Sequence, residues 1–196
     1  MQKTADKRQR IVQAAIEVFG QMGFDAASMA DIAKQAQVAK GTLYLYFSSK
    51  EQLFEEVYQL CQAERFAACR GDTDALPHAL DKLCQRLRNG TRWEMAAPMK
   101  NRLVRAYLTH PVFSRSISRV VEGLNTHTLE GILGQGLAAG ELRRLPAELL
   151  AEMYIRFGSA VYYYIEKHPD EAESEELWDQ VFASLRGCLG QPAVHN

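Results

Sequence analysis

The sequence predicts an all-α fold of about nine helices. Apolar residues recur three and four positions apart along most of the 196-residue chain, as they do on one face of a helix. No segment shows the alternation of apolar and polar residues that is typical of a strand, and glycine and proline separate the helical segments. Apolar residues make up 47% and charged residues 24%, which is ordinary for a globular protein.

The first helix is predicted over residues 6–22. Its apolar face is formed by Ile11, Ala14, Ala15, Val18, Phe19 and Met22. Gly23 suits a left-handed cap at the end of this helix, with Phe24 folding back over the last turn. The apolar face is expected to cover the helices that follow.

A helix, a tight turn and a second helix are predicted next. Ser28 and Asp31 have the spacing of a capping box, which begins a helix with an apolar face that extends to Ala36. Residues 37–39 form the turn, and residues 40–47 form the following helix. This arrangement is a helix-turn-helix.

The second helix of this motif has an inward and an outward side. Leu43 and Phe47 lie four residues apart, so both are expected to point inward. Ser48 and Glu51 have the spacing of another capping box, which opens a fourth helix carrying Lys50 in its first turn. A helix begun in this way offers its N-terminus to a phosphate.

Six helices are predicted after the motif. The fourth runs from Ser49 to about Arg70, and the fifth begins at Pro77 and ends at Asn89-Gly90. The others are a sixth that contains Met95 and stops at His110-Pro111, a seventh from about Val112 to Ala139, an eighth from Pro146 to about His168, and a ninth after the acidic segment 171–176.

The segment GTLYLYFSSKEQL, residues 41–53, resembles the DNA-binding domain of TetR-family transcriptional regulators. The resemblance extends upstream to Ile11, with two departures: Gln37 stands where the family usually has glycine, and Ala39 where it usually has serine. It implies a DNA-binding domain over residues 1–50 and an effector-binding and dimerisation domain over residues 51–196.

DNA contacts are predicted on the second helix of the motif and beside it. Its outward residues Lys40, Thr42 and Tyr46 fit the major groove or its walls. The net charge agrees, because residues 1–50 carry +3 and the remaining residues −4. With the positions that the resemblance adds, the predicted set is Ser28, Lys40, Gly41, Thr42, Tyr44, Tyr46 and Lys50. Lys3, Lys7, Arg8 and Arg10 either reach phosphates or are simply solvated.

The last two helices are predicted to form a dimer interface. Tyr162, Tyr163 and Tyr164 are consecutive and point about 100° apart, so at least one ring faces away from the core of its own chain. The resemblance implies that these helices pair with their copies in a homodimer; the alternative is a monomer that buries both faces. The predicted interface residues are Tyr163, Trp178, Val181, Phe182 and Leu185.

Methionine and aromatic residues of the fifth to eighth helices are candidates for lining an effector cavity. Such side chains adapt to apolar ligands, although they also simply fill cores. The predicted set is Trp93, Met99, Tyr107, Phe113, Tyr154 and Phe157, and the expected effector is a small apolar or aromatic compound.

Catalysis finds little support in the sequence. The five histidines are scattered, and neither a nucleophile elbow, nor a phosphate loop, nor paired metal-ligand spacing occurs. We therefore expect no enzyme activity, cofactor or metal. Cys61 and Cys69 lie eight apart on one helical face, which leaves a redox sensor as an alternative. No apolar segment is long enough to cross a membrane and no leader peptide is evident, so the expected location is cytoplasmic.

The sequence thus predicts a homodimeric repressor that binds an inverted repeat in double-stranded DNA and releases it on binding a small molecule. A ligand- or redox-responsive activator on the same scaffold is the alternative, and an all-α enzyme or carrier is a remote one.

Overall fold

The computed structural model describes residues 2–111 and 127–192, and these ranges are all-α, as predicted. They contain nine α-helices: α1 (Gln2–Ala26), α2 (Met29–Gln35), α3 (Lys40–Tyr46), α4 (Lys50–Arg70), α5 (Ala79–Ala96), α6 (Pro98–Thr109), α7 (His127–Ala138), α8 (Ala147–Lys167) and α9 (Glu175–Leu189). Short 3-10 turns cover Thr73–Ala75 and Pro169–Glu171. No helix in the described ranges is long and apolar enough to cross a membrane.

The chain divides into two compact units. The first contains the described residues of Met1–Glu64 and Ala97–Ser118, and the second those of Arg65–Ala96 and Arg119–Asn196. Helix α4 therefore contributes residues to both units. This division describes packing; the functional division predicted after residue 50 remains a prediction.

Aromatic rings and a close helix contact hold the first unit together. The Phe19 and Phe54 rings meet edge to face with centroids 4.9 Å apart, and the Tyr58 and Tyr107 rings stack at 3.8 Å. Helix α6 packs tightly on α1, since a Cβ added at Gly20 would lie 3.2 Å from the Met99 Cβ. Helix α1 thus packs against both α4 and α6.

Gly23 kinks α1 with φ 79° and ψ 168°. The positive φ expected of a glycine cap is therefore present, but ψ is extended and differs from that of the left-handed helical cap that was predicted. Beyond the kink the helix continues for a few residues to Ala26, which the prediction had left outside it. The short continuation presents its carbonyls to α4.

The second unit has one apolar core around the fully buried Trp178. Helix α7 packs against its neighbours at Gly136, where an added Cβ would lie 2.7 Å from Leu142 Cδ1 and 2.8 Å from Ala79 Cβ. A single antiparallel bridge joins Leu142 to Gly190, and the carboxylate of Glu141 accepts the Ala79 amide at 2.7 Å. The turn before α8 therefore ties α5 and α9 together.

Two predicted helix ends are wrong. Helix α5 continues through Gly90 to Ala96. Gly90 is buried against Cys69, and a Cβ added to it would lie only 3.0 Å from the Cys69 sulfur, so the glycine allows close packing and does not end the helix. Met95 consequently belongs to α5, and Pro98 begins α6. The first part of the predicted seventh helix lies outside the described residues.

The capping box predicted at Ser48 and Glu51 is displaced by one residue. The Ser49 hydroxyl accepts the Gln52 amide at 3.1 Å, and the Gln52 side chain accepts the Ser48 amide at 2.7 Å. Ser49 is therefore the N-cap of α4, since a serine at either position satisfies the local spacing rule.

Candidate nucleic-acid interface

The start of α2 is fixed by the predicted capping box. The Asp31 amide donates to Ser28 Oγ at 3.2 Å, and the Ser28 amide donates to Asp31 Oδ2 at 3.1 Å. The Ser28 hydroxyl donates to the same carboxylate at 2.5 Å, and this bond lowers the pKa of Asp31. Ser28 remains exposed. Its hydroxyl serves the cap, and its predicted DNA contact remains a prediction.

The turn between α2 and α3 contains a residue in the left-handed region. Gln37 has φ 54°, the only positive φ of a non-glycine residue in the described ranges. This is the position where the TetR resemblance expects glycine, so the turn keeps its geometry despite the substitution. Arg10 supports it, donating from one guanidinium nitrogen to the carbonyls of Ala36 at 2.6 Å and Gln37 at 3.2 Å.

Helix α3 lies on the first unit with its predicted inward residues buried. Leu43 is 0% exposed and Phe47 is 1% exposed. Of the predicted DNA-contacting residues on this helix, the exposed ones are Lys40, Gly41 and Tyr44, and the half-buried ones are Thr42 and Tyr46. The Ala39 side chain makes no cap, as its departure from serine implies. The helix therefore offers a mixed polar and aromatic outer face.

Lys50 is held within the first unit. Its ammonium donates to the carbonyls of Phe24 at 2.8 Å and Ala27 at 3.0 Å, and it lies 4.3 Å from the centroid of the Phe24 ring. These bonds connect the start of α4 to the end of α1. The predicted phosphate contact of Lys50 would have to compete with them, and it remains a prediction.

Sequence reasoning missed two residues of this region. Arg10 was assigned only to phosphate contact or solvation, whereas its guanidinium fastens the turn. Leu45 is 85% exposed at the middle of α3 and was not assigned at all. The available signal was helical geometry, because Leu45 lies midway between the two buried residues Leu43 and Phe47 and therefore opposite both.

The predicted effector residues are distributed over both compact units. Met99 and Tyr107 belong to the first unit, whereas Trp93, Tyr154 and Phe157 belong to the second. Phe113 lies outside the described residues. A cavity of about 670 Å³ in the second unit is lined by Ala68, Gly71, Asp72, Leu76, Gln85, Asn89, Arg92, Trp93 and Ala96. Trp93 is therefore the one predicted member that faces it.

A polar cluster is enclosed in the second unit beside Tyr154. Arg65 donates from two nitrogens to Glu94 Oε1 at 3.1 and 2.8 Å. The Tyr154 hydroxyl donates to the Leu83 carbonyl at 3.2 Å, and burial raises the pKa of this phenol. These groups satisfy one another inside the unit, so the region combines apolar walls with fixed polar groups.

The predicted dimer residues divide by burial. Trp178 and Leu185 are 0% exposed within the single chain. Val181 and Phe182 are partly buried against the core of their own unit, whereas Tyr163 is 48% exposed. Of the predicted interface residues, Tyr163 and the accessible parts of Val181 and Phe182 are therefore the ones that a second copy can reach, with Trp178 and Leu185 buried beneath them.

The thiols are poorly placed for redox sensing. All four cysteines are free, and burial raises the pKa of Cys61 to about 12 and that of Cys84 to about 11. Burial also raises the pKa of Cys69. A raised pKa removes the thiolate, which is the reactive form. Within the described ranges, no group of three or more histidine, cysteine or acidic side chains could hold a metal ion.

The fold and this face of α3 define a helix-turn-helix DNA-binding protein, and comparison with known proteins identifies its family. Residues 11–57 match the family model for bacterial regulatory proteins of the tetR family. The chain resembles a tetR-family transcription regulator from Shewanella sp. PV-4, with 28% identity, a TM-score of 0.85, and coverage of 95% of this chain and 99% of the other. Residues 11–57 therefore form a DNA-binding domain of the TetR type, and the proteins that the chain resembles are transcriptional regulators.

Two curated relatives come from Bacillus subtilis (strain 168). The HTH-type transcriptional regulator YvdT is 40% identical over 85 residues, which span 43% of this chain and only 37% of YvdT. The fatty acid metabolism regulator protein is 27% identical over 147 residues, which span 73% of this chain and 74% of that protein. The first similarity is higher over a shorter segment, and the second covers most of both chains.

Proposed function

We propose that this protein is a homodimeric transcriptional repressor that releases its operator when a small molecule binds its C-terminal domain. The observation that carries this proposal is the outer face of α3, held by buried Leu43 and Phe47 with Lys40, Gly41 and Tyr44 exposed. A helix supported in this way can enter the major groove of B-DNA with its side chains preordered.

The proposed DNA contacts fall into two kinds. Lys40, Tyr44 and Tyr46 carry donors that suit phosphates and base edges, and the exposed backbone of Gly41 can approach a phosphate closely because nothing lies within 4 Å of an added Cβ. Thr42 stands on the flank of the helix. Ser28 and Lys50 support DNA binding by stabilising the starts of α2 and α4. Direct contact with a phosphate is their second proposed role.

A dimer would present two copies of α3 to one face of the duplex. Recognition helices related by twofold symmetry bind half-sites about one helical turn or a multiple apart, so the operator should be an inverted repeat. Tyr163→Asp should weaken the dimer and tight operator binding together, because the tyrosine is exposed in the single chain and its loss leaves the core intact. Sedimentation and DNA binding, with thermal unfolding as the control for folding, measure this directly.

The proposed effector is a compound with a long apolar chain. The similarity to the Bacillus subtilis fatty acid metabolism regulator extends over 73% of this chain, and the structurally similar regulator FadR from Bacillus subtilis was solved in complex with stearoyl-CoA. Because α4 contributes residues to both units, we propose it as the route by which ligand binding alters the helix-turn-helix. A tenfold to hundredfold loss of operator affinity requires about 1.4–2.7 kcal/mol of coupling.

Calorimetry with a long-chain acyl-CoA, in the presence and absence of operator, tests this mechanism. Linkage requires that operator weaken ligand binding by the same factor by which ligand weakens operator binding. Acetyl-CoA is the matched control, since it keeps the nucleotide and lacks the apolar chain. Equal ligand affinity in the two titrations would contradict release by this class of compound, and a promoter reporter would distinguish repression from activation.

A further inference from the structure

Leu45 occupies the centre of the outward face of α3. A helix advances about 100° per residue, so Leu45 lies about 200° from each of the two buried anchors, Leu43 and Phe47. Its side chain is 85% exposed, the largest value among the exposed large apolar side chains of the described residues. The most outward side chain of the recognition helix is therefore an aliphatic one.

Polar residues flank this position instead of occupying it. Tyr44 is exposed on one side of Leu45, and Thr42 is half-buried on the other. Gly41, one turn earlier on the same face, has no side chain, and nothing lies within 4 Å of where its Cβ would be. When such a face enters the major groove, the flanks approach the phosphate walls and the centre approaches the base edges on the floor.

We propose that Leu45 is a specificity-determining residue that contacts the C5-methyl group of a thymine in each half-site of the operator. This inference rests on the proposed DNA-binding role of α3. Leucine has no hydrogen-bond donor or acceptor. A phosphate or a polar base edge placed against it would therefore lose its water without gaining a hydrogen bond. Thymine alone presents an apolar group in the major groove, whereas guanine, adenine and cytosine present donors and acceptors there.

The test removes one methyl group from the DNA and one side chain from the protein. An operator is first selected from a randomised duplex library with the full-length protein, and each dT is then replaced in turn by dU, which keeps base pairing and phosphates and lacks only the methyl group. The wild-type protein should lose roughly fourfold in affinity at one thymine of each half-site, the effect of burying one methyl group. The slope of affinity against salt should not change, because no phosphate contact is altered.

Leu45→Ala should abolish the penalty at that thymine while the rest of the dU profile stays the same. Leu60→Ala is the control, since it truncates an exposed leucine of α4 outside the predicted DNA-contacting set and should retain the penalty. Thermal unfolding should be unchanged in Leu45→Ala, because the side chain is exposed. Operator binding with no dU penalty, or with a penalty that persists in Leu45→Ala, would overturn this inference alone. Failure to select any DNA sequence would overturn the proposed function as well.

Discussion

Cations have different partners in the helix-turn-helix and in the second unit. In the first, Arg10 donates to the carbonyls of Ala36 and Gln37, and Lys50 donates to those of Phe24 and Ala27. In the second, arginines of α4 and α5 pair with carboxylates: Arg65 with Glu94, Arg88 with Glu175, and Arg92 with Glu173.

The length of α2 explains why Arg10 donates to the carbonyls at its end. Helices α2 and α3 have seven residues each, which is too short for stability without tertiary support. The last carbonyls of a helix have no hydrogen-bond donor within it. A cation that donates to them therefore fixes both the end of the helix and the turn that follows. Helices α4 and α5 have 21 and 18 residues, and their arginines in the second unit instead fasten one segment to another. Arg10 and Lys50 therefore fix chain segments beside the helix-turn-helix, whereas Arg65, Arg88 and Arg92 fasten helices of the second unit to neighbouring segments.

The largest expected effect on stability comes from Glu94→Gln. This change leaves the Arg65 charge enclosed without a counterion, which costs about 3–5 kcal/mol when both partners are fully buried. The Arg65 side chain is 28% exposed, so we expect a loss of about 2–3 kcal/mol in the free energy of unfolding, measured with urea. Glu152→Gln is the control, because its pairing with Arg156 is exposed and should be worth less than about 0.5 kcal/mol.

Lys50→Met should destabilise the first unit by about 1.5–2 kcal/mol, because the carbonyls of Phe24 and Ala27 lose a charged donor. Operator affinity should fall as well. The salt dependence separates the two roles of this lysine: loss of a phosphate contact lowers the slope by about one unit, whereas a loosened α1–α4 connection leaves it unchanged. Unchanged stability would contradict the structural role.

Lys40→Ala should weaken operator binding without destabilising the protein, because the side chain is exposed on α3. Loss of a single phosphate contact should lower the salt slope by about one unit on every DNA sequence. If Lys40 contacts a guanine instead, the loss should be about 1–3 kcal/mol and confined to one base pair. Arg144→Ala, an exposed cation of the second unit, should change neither, and equal affinity for Lys40→Ala would count against α3 as the recognition helix.

Gln37→Gly should produce the smallest effect, a gain of about 0.5–1 kcal/mol in the free energy of unfolding. A left-handed residue with a side chain carries strain of about 1–2 kcal/mol, and the greater freedom of glycine in the unfolded chain offsets part of the relief. Gln35→Gly, within α2, should instead destabilise by about 1 kcal/mol. A loss of stability in Gln37→Gly would show that the turn does not need the left-handed conformation.

The spacing of residues along the chain was sufficient to predict the helix-turn-helix and the helix before it. The Ser28–Asp31 capping box, the positive φ of Gly23 and the inward Leu43 and Phe47 all follow from interactions between residues a few positions apart. The same reasoning misplaced the cap of α4 by one residue and ended α5 at Gly90. Whether a glycine stops a helix or lets a neighbour approach depends on packing, and here Cys69 of α4 is the neighbour.

The sequence by itself determined the fold class and the position of the helix-turn-helix, because helical periodicity and capping are encoded within short segments. The tertiary structure decided which charged groups are engaged, since the partners of Arg10, Lys50 and Arg65 are 23 to 29 residues away in the chain. It also separated Trp178, buried in its own chain, from Tyr163, which is exposed, although both sit on helices with apolar faces. An apolar residue has the same chemistry in a core, a cavity wall or an interface, and only the three-dimensional arrangement of its neighbours distinguishes these roles.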